Sequence, residues 1–172
     1  MFVELIATVF AGIGAAGLVM VLNLMTGRRL PKWLMPVAAG AGMIGMTISN
    51  EYTWFGRTAE RLPDGVEIAM TVDEQSWLRP WTQVAPYTKR FVAVDVANLR
   101  RNATQPDQRM VDLYFFGRWS PVNQTPMLMD CAGARSAVLI DGAVFAADGS
   151  VSDADWQAMP GDDPILTMVC ET

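Results

Sequence analysis

Between Leu5 and Met25 the chain runs for 21 residues in which only Thr8 and Asn23 carry polar side chains. As a helix rising 1.5 Å per residue, such a run reaches about 31 Å, close to the hydrocarbon thickness of a bilayer. No other feature narrows the possible folds as much. A soluble domain seldom offers so long an apolar stretch, and a bilayer requires one. A second apolar run, Trp33 to Ile48, has 16 residues with Thr47 as its only polar side chain. It is short for a span, but Tyr52, Trp54 and Phe55 follow, and aromatic residues of this kind settle at membrane interfaces.

Between the runs lies "TGRRLPKW", where Gly27 and Pro31 break the helix and Arg28, Arg29 and Lys32 supply charge. The pattern predicts a transmembrane hairpin over residues 1–50, with spans at about 5–25 and 33–50 and a basic turn at 26–32. Basic loops stay on the cytoplasmic side. Arg28, Arg29 and Lys32 therefore orient the chain, with the N-terminus and residues 51–172 facing outward. In a bacterium this is the periplasmic side of the inner membrane. A cleaved signal peptide is the alternative for the first run, but "MFVEL" is acidic where such a peptide is basic. A buried helix of a soluble fold is the alternative for the second.

Small residues recur along both runs. Ala11 and Ala15, Ala38 and Gly42, and Ala41 and Gly45 stand four apart, a spacing that lets helix backbones approach closely. The two helices packing on each other would use these residues, and a remaining face would admit helices of a partner. Neither span contains an ionisable residue, which leaves a transport or proton path without support.

The remaining residues, 51–172, hold 17 of the 18 acids, since only Glu4 lies outside them. They hold 10 of the 13 basic residues, all but Arg28, Arg29 and Lys32, for a net charge of −7. Such a balance disfavours nucleic acid and docking onto anionic lipid, and suits a basic soluble protein as a partner. "VEIAMTV", "RFVAVD", "RMVDLYFF", "PMLMDC" and "SAVLI" read as strands separated by Pro, Gly and Asn. In "GDDPILTMVC", Asp162 or Asp163 can cap a short closing helix that has Pro164 at its first position. The expected class is α+β, a small antiparallel sheet with one or two helices behind a helical anchor.

Cys131 and Cys170 are the only cysteines. On the periplasmic side two thiols without competitors form a structural disulfide. With no C-x-x-C and no histidine, the pair reads neither as a redox site nor as a metal centre.

The run from "KRFVAVDVANLRRN" through "RMVDLYFFGRW" and "MLMDCAGARSAVL" to "DADWQAMPGDDPILTMVC" resembles the surface-adhesin E-like domains of Gram-negative bacteria. The points of likeness are Asp95 followed by Arg100 or Arg101, then Asp130, Cys131 and Arg135, and last Trp156, Pro160 and Cys170. The resemblance covers about residues 88–170. It implies a compact sheet with a helix and a bridge between the two cysteines. Family members are secreted proteins or lipoproteins, whereas this chain has no lipobox cysteine, and their host-binding segment has no counterpart here.

Other candidate sites are few. Asp148, Asp153 and Asp155 could offer oxygen ligands to Ca²⁺, but their spacing does not fit an EF-hand loop and better suits a solvated acidic turn. Trp54, Trp77, Trp81 and Tyr87 are candidates for partner contact or interface anchoring, or for core packing. No nucleophile has an evident base, histidine is absent, and no P-loop, G-x-S-x-G or dinucleotide fingerprint occurs. The expectation is a non-catalytic accessory or assembly subunit, without a cofactor, in a larger integral-membrane complex such as a respiratory or photosynthetic electron-transfer assembly. The alternative is an adhesin-like or ligand-binding periplasmic module.

Overall fold

The computed structural model describes residues 2–102, 105–139 and 154–172. The chain divides into two compact units, Met1–Arg57 and Thr58–Thr172.

The first unit is helical. Helix α1 spans Phe2–Met25 and α2 spans Leu34–Ala59. Thr26 and Gly27 close α1, and the chain turns through positive φ at Gly27 (70°) and Arg28 (61°). The side-chain oxygen of Asn23 accepts the Leu30 N–H at 3.0 Å and fastens this turn to the helix end. The second helix does not stop near residue 50. Asn50 and Glu51 end the apolar pattern but not the helix, because no proline lies between Asn50 and Ala59 to interrupt the hydrogen-bond ladder.

Among the described residues, one helix is long and apolar enough to cross a membrane: α1, with a mean hydropathy of 2.4. The glycines of α2 and its polar continuation keep it below that mark.

The second unit is an antiparallel sheet closed by a helix. Its strands are β1 (Val66–Glu74), β2 (Tyr87–Asp95), β3 (Arg100–Arg101), β4 (Gln108–Gly117), β5 (Ser120–Asp130), β6 (Arg135–Val138) and β7 (Gln157–Ala158). A four-residue helix, α3 (Trp81–Val84), lies between β1 and β2, and α4 (Pro164–Glu171) closes the chain. The strand order is β1-β2-β4-β5-β6-β7, with β3 also paired to β4.

One face of the sheet carries the core. Val92 and Val94 of β2 pack with Val111 and Leu113 of β4, Met129 of β5 and Val169 of α4. On β2 the alternation that marks a one-sided strand gives way to an unbroken buried run from Phe91 to Asp95. Phe91 stacks on its cross-strand partner Phe116 with ring centroids 4.5 Å apart, so this part of β2 is covered on both faces.

At the start of β1, Gly65 has φ +86° and its carbonyl accepts the N–H groups of Val96 and Ala97. On the other side of the sheet, β6 pairs only with Met127–Asp130 of β5. Among the described residues, Ser120–Thr125 therefore forms an edge, with Pro121 inside it and Pro126 at its inner limit.

Candidate functional site

The two cysteines meet where β5 ends. Cys131 and Cys170 are bonded with their Cα atoms 5.7 Å apart, joining the end of β5 to the last turn of α4. Helix α4 begins at an Asp163 N-cap whose carboxylate accepts from the Ile165 and Leu166 N–H groups, with Pro164 at the first position. Its other end meets two arginines that are cross-strand partners. Arg109 of β4 donates to the Val169 carbonyl, and Arg101 of β3 donates to the Thr172 carbonyl at 2.7 Å. Cations at a helix C-terminus satisfy orphan carbonyls and oppose the negative end of the dipole.

Beside the bridge, Asp130 is buried at the end of β5 and receives the Arg135 Nε–H at 2.7 Å and the Gly133 N–H at 3.1 Å. Burial pushes its pKa up. The hydrogen bond from Arg135, those from the Gly133 and Ala132 backbone, and the charge of Arg135 outweigh that effect and hold it below the ordinary value. The Arg135 guanidinium also lies over the Trp156 ring at 4.6 Å. Asp130, Cys131, Arg135, Trp156 and Cys170 thus gather in one corner. Asp95 ties a turn, accepting the Asn98 N–H at 3.0 Å.

In the helical unit, small residues make the contact between α1 and α2. A Cβ at Gly42 would come within 2.8 Å of the Ala15 Cβ and 2.9 Å of the Ala11 carbonyl oxygen. One at Gly12 would meet Met43 at 2.8 Å. Ala11, Ala15 and Gly42 are therefore at the seam, together with Gly12 and Met43. Gly45 has open space around its Cα, and Ala41 is exposed. Glu4 near the start of α1 pairs with Arg57 near the end of α2 at 3.6 Å. Arg28, Arg29 and Lys32 are all exposed in the connection between the helices.

The four aromatic candidates separate. Trp54 is 5% exposed and Tyr87 is buried as well, which removes both from the surface. Trp77 is 82% exposed, and Trp81 is partly exposed. Their segment is firmly built. The buried Thr82 hydroxyl accepts the Ser76 N–H at 2.9 Å and donates to the Arg79 carbonyl at 2.8 Å. Leu78 and Val84 stand out from the same segment.

An exposed tryptophan that the sequence patterns did not single out, Trp119, occupies the β4–β5 turn under the Arg118 guanidinium, 4.8 Å from its ring centre. "GRWS" between two strand patterns was the available signal, since a short connection between strands must show its side chains to solvent.

An open groove of about 570 Å³ runs between β1 and α4. Glu67, Asp162 and Glu171 line it with Met168. Of the Ca²⁺ candidates, Asp148 and Asp153 lie outside the described residues, and Asp155 is exposed. On β4, Tyr114 has its pKa raised by burial and by the charges of Asp95 and Asp112, which favours the neutral phenol.

Comparison with protein-family models, with curated proteins and with solved structures found no match.

Proposed function

We propose that this chain is a non-catalytic, membrane-anchored accessory or assembly subunit of a larger integral-membrane complex in the bacterial inner membrane. The observation that carries the reading is the surface of α1. Its most apolar window is only 6% buried, although the helix is long enough to cross a bilayer. Exposed apolar surface of this extent is covered by lipid or by other helices.

In this reading α2 crosses beside α1 through its apolar half, using the glycine seam, and the basic connection holds the turn in the cytoplasm. Gly14 and Gly17 of α1 and Gly40 and Gly45 of α2 have open space around them, which suits close approach by a neighbouring helix. The sheet unit then lies in the periplasm, where an oxidising environment maintains the bridge. Its external face contacts the host complex, and an electron-transfer complex is one host of suitable kind.

Affinity purification of the tagged full-length chain from native membranes in mild detergent tests the proposal, with intact-mass analysis of the recovered protein. Stoichiometric co-purification with one integral-membrane complex, together with an intact α1, is the expected result. Recovery of the chain alone sinks the accessory role and favours a ligand-binding module. Recovery of a mature form cleaved after α1 sinks the anchor.

A further inference from the structure

Two connections that lie far apart in sequence meet at one end of the sheet. Residues 75–86 link β1 to β2 where Glu74 pairs with Tyr87. The β4–β5 turn sits where Gly117 pairs with both Arg90 and Ser120, and the Arg118 N–H donates to the Lys89 carbonyl at 3.0 Å. The strand register therefore sets Trp77, Leu78 and Val84 at the same end as Trp119 and Val122. All five are well exposed, Val84 at 90%.

The charges at this end differ from those of the unit as a whole. Arg79, Lys89, Arg90 and Arg118 gather there, and among the described residues the acids set beside them by strand pairing are Asp73, bonded to Thr88, and Glu74, paired with Lys89. Glu67, Asp162 and Glu171 lie at the opposite end, around the groove beside the start of β1. An acidic unit thus presents one cationic, tryptophan-rich end.

We propose that this end of the sheet is a docking surface for an anionic phospholipid bilayer. Tryptophan prefers the headgroup level, where its ring meets hydrocarbon and its N–H meets water. Arginine and lysine beside it attract anionic headgroups. The Thr82 hydrogen bonds fix the Trp77–Val84 protrusion in advance, so little conformational freedom remains to be lost on insertion. The inference rests on the reading of α1 as a span, because the span would tether the sheet unit to the same bilayer.

The test uses the full-length chain in vesicles of equal parts phosphatidylcholine and phosphatidylglycerol. Among the described residues no cysteine is free. An environment-sensitive fluorophore therefore labels only an introduced thiol, in the Leu78→Cys or Val84→Cys variant, with Gly161→Cys as the distant control. The expected result is quenching of Leu78→Cys and Val84→Cys by lipid-borne quenchers, with Gly161→Cys quenched by aqueous iodide. The double variant R90E/R118E should reduce the lipid quenching at least about twofold.

Iodide quenching at all three positions, in protein that resists alkaline extraction, overturns the docking surface and leaves the anchor standing. Release of the unlabelled chain by alkaline extraction overturns the anchor and this inference with it. Lipid quenching unaltered by R90E/R118E overturns the headgroup attraction.

Discussion

Replacing both bridge cysteines, in C131A/C170A, tests how far the sheet unit depends on a covalent closure. The bonded residues are 39 apart in sequence. In the chain-entropy relation a loop of that length restricts the unfolded chain by about 13 cal/mol/K, or about 4 kcal/mol at 25 °C. For a unit the size of Thr58–Thr172, each kcal/mol moves the melting temperature by roughly 4 °C. Thermal unfolding of the double variant, followed by tryptophan fluorescence in detergent, should occur roughly 15 °C below that of the oxidised parent. Reducing agent should bring the parent down to the same temperature. A fall of less than about 4 °C would refute the reasoning. It would mean that the Asp163 cap, the two arginines and the buried Val169 hold α4 without help, or that the unfolded chain is already confined.

Three further outcomes follow from local geometry. Gly65→Ala places a methyl group 2.3 Å from the Ala97 Cβ at a φ of +86°, and should destabilise the sheet unit by about 2–4 kcal/mol in chemical unfolding. Asp130 has its pKa lowered in the folded state. Its contribution is therefore complete above its unfolded value near 3.8 and is lost as pH falls through the folded value. Asp130→Asn should flatten the fall of melting temperature below about pH 4, and parallel curves for parent and variant would count against the Arg135 pairing. Gly42→Leu should force α1 and α2 apart at Ala11 and Ala15, abolishing crosslinking between cysteines introduced at the facing positions Gly12 and Met43. Retained crosslinking would dismiss the seam.

Local chemistry made some of these elements readable from sequence. Asp163 and Pro164 announced α4 because a cap and an N1 proline act within one turn. Cys131 and Cys170 announced their bridge because no third cysteine competes. The features that escaped depend on what lies across the sheet. "RFVAV" does not say that β2 will be covered on both faces, since the Phe91–Phe116 stack is set by register between strands distant in sequence. The continuation of α2 to Ala59 is not legible in the apolar pattern, because Asn50 and Glu51 interrupt that pattern while leaving a helical backbone undisturbed. Trp77 and Trp81 could be singled out in their Pro-rich segment, but the convergence of Trp119 on the same end is a property of strand pairing.

The outer edge of β5 bears on how this chain behaves at high concentration. A bare strand edge is a template for strands of other molecules. Pro126 directs its carbonyl outward, where it accepts from Leu139, and its missing N–H lies on that same side. With Pro121 it brackets Val122–Thr125, a window of about 13 Å at a strand's rise. Ordered cross-strand stacking needs segments of about six or seven residues without proline. Among the described residues, the open window between the two prolines is therefore shorter than a segment that seeds a growing sheet.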